Sequence, residues 1–180
     1  IWMIDKAYSC EMSKEQLLKM FSNCIEKKWM EEEEKFRKKV EVYLQKNQGN
    51  IESYEADFYD SRFGYEDARN IYSKFKMEFD LSQRYKFYLE IICAMYKLHR
   101  NMNYGIDITS LYALLNHNHL DIDFNKYAEV IAVVCMILEG EVCTSTQCGE
   151  FYDLRKQYRI HNNFQLTILG MIYLVEKENT

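Results

Sequence analysis

The sequence predicts an all-α protein built from helical hairpins that stack as a short right-handed array of about seven to eight helices. Proline, which interrupts helices by removing a hydrogen-bond donor, is absent, and the chain contains only six glycines. Apolar residues recur at helical spacing in successive segments. In the second half a similar pattern returns about every forty residues, which indicates repeated helix pairs.

Residues 1–50 are predicted to form an N-terminal pair of helices. Ser13 followed by Gln16 has the form of a capping box, in which two side chains satisfy free backbone groups at a helix start. This motif predicts a first helix over residues 13–28. A second helix is predicted over residues 30–46, because four glutamates occupy its first turns and lysines follow, an order that complements the helix dipole.

Residues 51–64 mix aromatic and acidic side chains without a clean period, so we expect either a short helix or an aromatic-rich connector. Residues 65–180 are predicted to form three units of about forty residues, each with a shorter helix, a turn and a longer apolar helix. A lone hairpin cannot bury its apolar face, so stacked hairpins are expected to share one core and form one compact unit. The equivalent positions are Tyr72, Tyr112 and Tyr152; Leu81, Leu120 and Ile160; Tyr85, Phe124 and Phe164; Ile92, Ile131 and Met171; and Met95, Val134 and Leu174.

The longer helices of the three units are predicted to be the buried layer, and polar residues before several helices are candidate caps. Asp80 precedes the longer helix of the first unit, and Asp107 or Thr109 precedes the shorter helix of the second. The predicted longer helices are 81–100, 124–139 and 164–177, and the shorter ones are 65–77, 109–117 and 147–158.

The predicted unit resembles the helix-pair modules of α-solenoid proteins, such as tetratricopeptide-like or HEAT-like arrays, over residues 65–180. The likeness lies in the size and order of the helices. The tetratricopeptide period is about 34 and its signature residues are missing, while HEAT-type repeats usually contain proline, which is absent here. Such arrays generally bind peptides or protein partners, so the resemblance implies a scaffold or adaptor.

Five residues are candidates for binding a partner. Tyr72, Tyr112 and Tyr152 lie on the shorter helices, which often line the concave face of such arrays; the alternative is a structural role where repeats stack. Arg155 and Arg159 belong to the one basic cluster of an acidic half and are suited to bind a carboxylate or phosphate. The alternative for this cluster is solvation of an exposed helix.

A candidate metal site is the segment that contains His117, His119, Asp121 and Asp123, since imidazoles and carboxylates are zinc ligands. The rings of a His-x-His sequence point apart on a helix, however, and these residue types are common in turns. No nucleophile motif or glycine-rich phosphate loop occurs. We therefore predict no metal, cofactor or catalytic activity, with a metal-dependent hydrolase using His117 and His119 as the less favoured alternative.

The net charge of −5 is unevenly placed. Residues 107–180 carry ten acidic and five basic side chains, whereas residues 1–106 carry 18 of each. Nucleic-acid binders usually present a basic patch, but the basic run 37–39 follows the acidic run 31–34, which is typical of a solvated helix face. Nucleic acid is therefore not an expected partner, and a basic protein or peptide is.

Cysteine placement and hydropathy predict a cytoplasmic or otherwise intracellular protein without a membrane partner. Cys93 and Cys135 lie inside apolar runs, where cysteine behaves as a small hydrophobe. Reduced thiols are expected, and Cys143 with Cys148 is the one local pair able to form a disulfide. The longest uncharged apolar runs reach about ten residues, against about eighteen for a membrane span, and no signal-peptide pattern is visible.

The expected function is a protein- or peptide-interaction module without catalytic activity, with a homodimer left open. The alternative is a helical bundle that binds a small apolar ligand as a sensor or regulator, which requires an enclosed apolar cavity.

Overall fold

A computed structural model of the chain describes residues 12–59, 66–101, 107–117, 124–144 and 163–178. Within these residues it contains seven helices and no strand, which confirms the predicted all-α class. The helices are α1 (Lys14–Lys46), α2 (Gln48–Tyr59), α3 (Glu66–Glu78), α4 (Leu81–Arg100), α5 (Ile108–His117), α6 (Phe124–Thr144) and α7 (Asn163–Glu178).

The chain divides into two compact units, Ile1–Phe36 and Arg37–Thr180. Helix α1 contributes residues to both. The prediction of two helices over residues 13–46 differs from the structure, in which α1 runs without a break. The stretch 14–46 lacks glycine and proline and is rich in glutamate and lysine, which are good helix formers, so nothing in it stops the helix.

Three of the predicted capping residues are confirmed at helix starts, namely Ser13, Asp80 and Asp107. The amide of Gln16 donates to Ser13 Oγ at 3.2 Å, and the amide of Ser13 donates back to Gln16 Oε1 at 2.9 Å. Asp80 forms the same reciprocal capping box with Gln83 before α4. Asp107 accepts from the amide of Ser110 at 2.7 Å before α5, and this bond lowers the pKa of the Asp107 carboxyl.

In the unit formed by residues 37–180, α6 is the central helix, and it packs against α2, α3, α4, α5 and α7. Helix α2 and helix α6 approach closely at Gly140, where a Cβ atom would lie 3.1 Å from the Tyr54 ring. Gly140 therefore allows the central helix to approach its neighbour.

Two of the sets of positions expected to be equivalent are buried in all three longer helices. Ile92, Ile131 and Met171 are at most 1% exposed, and Met95, Val134 and Leu174 are also buried. Helices α4 and α7, which belong to the first and third predicted units, contact each other directly. Extended arrays make contacts mainly between neighbouring repeats, so the α-solenoid resemblance stays a prediction about the sequence pattern.

Candidate functional site

The first part of α1 carries apolar side chains along one face. Leu18, Phe21 and Ile25 follow at intervals of three and four residues, which places them on one side of the helix. We call these three residues the N-terminal stripe. Leu18 is 60% exposed and Ile25 is 55% exposed, and Trp29 continues the same face one turn later with 41% exposure. The unit Ile1–Phe36 therefore presents large apolar side chains to solvent.

The two edges of the N-terminal stripe carry charges of opposite sign. At about 100° per residue, Lys28 and Lys35 lie along one edge of the stripe, whereas Glu15 and Glu26 lie along the other. Lys19 is the exception on the acidic edge. The stripe thus has a basic edge and an acidic edge, which makes the face electrostatically asymmetric.

Glu32 lies seven residues after Ile25, on the line of the stripe, and forms ion pairs with both lysines of the basic edge. Its Oε1 lies 3.5 Å from Lys28 Nζ and 3.1 Å from Lys35 Nζ. The hydrogen bond from Lys35 is the main reason why the pKa of the Glu32 carboxyl is lowered. Both lysines remain more than 60% exposed, so these pairs fix side-chain directions more than they stabilise the fold.

In the unit formed by residues 37–180, the end of α1 and the first half of α4 form a groove. Its volume is about 340 Å³ and it opens to solvent. Leu44 is buried and Leu89 is half-buried, and both line the groove together with Tyr85. The Tyr85 hydroxyl donates to the backbone carbonyl of Gln48 at 3.2 Å. The groove therefore has an apolar floor held between two helices.

The rim of this groove carries one charge on each wall. Glu41 projects from α1 and Lys86 from α4, and both are exposed. Among the residues that the structure describes, neither makes an ion pair or a hydrogen bond. Both charges are consequently available to an incoming ligand.

One ion pair joins the two walls of the groove, and a second joins α1 to α7. Arg37 donates two hydrogen bonds to Glu90, from Nη1 at 2.7 Å and from Nη2 at 2.8 Å, and so joins α1 to α4. Lys39 binds Glu176 at 2.6 Å and joins α1 to α7. The Arg37 pair is bidentate, a geometry that fixes orientation as well as distance. The groove is therefore a preformed feature of this unit.

A buried polar cluster lies on α2, α3 and α4. The Glu55 carboxylate accepts from the Tyr88 hydroxyl at 2.8 Å and lies 3.5 Å from Arg84 Nε. Arg84 also donates to the backbone carbonyl of Phe79 at 3.0 Å. Burial, followed by the charge of Glu55, raises the pKa of both Tyr72 and Tyr88. Both tyrosines are therefore neutral at ordinary pH. The Tyr88 hydroxyl donates to Glu55, whereas the Tyr72 hydroxyl has no hydrogen-bond partner among the described residues.

A second buried carboxyl, Glu141, lies on the central helix. Its Oε1 accepts from the Tyr43 hydroxyl at 2.8 Å, while Oε2 has no hydrogen-bond partner among the described residues. Burial is the main reason why the pKa of Glu141 is raised, and the charge of Glu178 adds to it; bonds from Tyr43 and Asn50 act in the opposite direction. This pair ties α1 to α6.

The structure separates the residues proposed as partner contacts. Tyr72 has no exposed surface and packs in the core. Tyr112 is half-buried and donates to the backbone carbonyl of Ala128 at 2.8 Å, and burial raises its pKa to about 12. Tyr152, Arg155 and Arg159 lie outside the described residues.

The structure describes two of the cysteines discussed above but not the side chains of the histidine segment. Cys93 and Cys135 are free and buried, and burial raises the pKa of each thiol to about 12. Cys143 and Cys148 lie outside the residues whose side chains are described, as do the His117 side chain and His119. In the described part of the chain no group of three or more His, Cys, Asp or Glu side chains is placed to hold a metal.

Comparisons with protein-family models, curated proteins and solved structures found no match. No helix among the described residues combines the length and apolar character needed to cross a membrane.

The sequence reasoning missed both the N-terminal stripe and the groove. The helical spacing of Leu18, Phe21 and Ile25 was visible, but a period cannot distinguish a face that packs in the core from one that meets solvent. Glu41 and Lys86 gave no local signal, because the groove joins residues more than forty positions apart.

Proposed function

We propose that the chain is a non-catalytic protein-interaction module that binds its partner through the N-terminal stripe. The observation that carries this proposal is the exposure of Leu18 and Ile25 on one helix face. Burying a side chain of this size contributes about 1.5–3 kcal/mol, and contiguous exposed apolar residues rimmed by charge are typical of interaction sites. An intracellular location, supported by the apolar setting of Cys93 and Cys135, is part of the proposal.

The arrangement of the polar groups supports an interaction role over a catalytic one. The buried carboxylates bind side chains of neighbouring helices, Glu55 with Tyr88 and Glu141 with Tyr43. By contrast, the N-terminal stripe and the open groove face solvent, and both combine an apolar centre with a charged rim. These are the features of docking surfaces.

A photo-crosslinking amino acid at position 25 tests the proposal. In an extract of the cells that make the protein, a crosslinker at this position should capture a defined protein, because the Ile25 side chain belongs to the stripe and is 55% exposed. The matched control places the same group at position 23, on the polar side of the helix. The captured protein is then purified, and its affinity is measured against Leu18→Ser and Ile25→Ser.

Each serine variant should weaken binding by roughly tenfold to a hundredfold, the equivalent of one buried aliphatic side chain. Equal crosslinking from positions 23 and 25, or affinities that both serine variants leave unchanged, would contradict the proposal.

A further inference from the structure

We draw no further inference here: the strongest candidate, the open groove between α1 and α4 with its apolar floor of Leu44 and Leu89, carries none because nothing in the structure shows what covers it.

Discussion

Glu55 and Glu141 are both buried carboxyl groups, but their surroundings differ. Glu55 lies beside the Arg84 guanidinium and accepts from Tyr88, so its negative charge has a cation and a donor. Glu141 accepts from Tyr43, and its second oxygen has no hydrogen-bond partner among the described residues. A buried charge costs free energy unless it is paired, so the two residues should respond in opposite ways to neutralisation.

Glu141→Gln is expected to raise the free energy of unfolding at neutral pH by about 1 kcal/mol, the scale of one buried hydrogen bond. The folded state raises the pKa of Glu141 above its ordinary value near 4.5, so folding favours the protonated form. Stability therefore falls as pH rises from about that value through the folded pKa. Denaturant unfolding between acid and neutral pH should show this loss in the parent and a flatter profile in Glu141→Gln.

The control for this experiment is Glu129→Gln, which removes a carboxylate from an exposed position on the same helix. A similar change in both variants, or a destabilised Glu141→Gln protein, would show that burial of Glu141 is not the cause.

Arg84→Leu is expected to destabilise the fold by about 3–5 kcal/mol, because it leaves the Glu55 charge buried without its cation. The double variant Arg84→Leu with Glu55→Leu should cost less than the sum of the two single changes, since no isolated charge remains. Urea unfolding of the three variants measures this coupling. Additive effects would mean that the two side chains do not interact, despite a separation of 3.5 Å.

At the scale of the elements, each longer helix directs one face into the core. Ile92 on α4, Ile131 on α6 and Met171 on α7 are at most 1% exposed. The ends of these helices depend on local chemistry, as the capping box of Asp80 and Gln83 shows. Propensity and capping start a helix, but packing of the apolar face supplies most of its stability.

Alanine substitution at Ile92, Ile131 and Met171 is expected to cost roughly 2–5 kcal/mol at each position, because each change removes buried methyl or methylene groups. The comparison is Leu81→Ala at the start of α4, where the side chain is 37% exposed and the cost should be smaller. Thermal or denaturant unfolding gives the values. Near-neutral results at two of the three core positions would argue against both the burial and the predicted equivalence of the units.

At the scale of the whole molecule, charge is distributed unevenly along the chain. The excess of acidic residues lies entirely within residues 107–180, and residues 1–106 are balanced. This charge distribution is expected to favour partners that carry basic surfaces, chiefly through their rate of association.

Binding of a captured partner is therefore expected to weaken as salt is raised from about 50 to 500 mM, since the Debye length shortens over that range. Titration at several ionic strengths measures the effect, with sodium chloride as the only variable. An affinity that is independent of salt would contradict a basic partner. An apolar contact at the N-terminal stripe would still be testable with Ile25→Ser.

Helix bounds were predictable where capping residues and apolar spacing within the helix determine them. The bounds predicted for α4 match the structure, because Asp80 and Gln83 define its start and an apolar period runs through Leu98. The break predicted near residue 29 was not found, since a change in charge pattern does not end a helix without glycine or proline. Of the two possibilities for residues 51–64, the helix is the one seen in α2, which extends to Tyr59.

The sequence by itself determined that the chain is helical, where several helices begin, and that Ile92, Ile131 and Met171 are core residues, because hydrogen bonding, capping and apolar periodicity act within a few turns. Only the tertiary structure decided that Tyr72 is buried, that Leu18 and Ile25 are exposed, and that Glu41 and Lys86 flank one groove. These properties depend on which helices pack together, and residues distant in sequence contribute to them, so no local pattern encodes them.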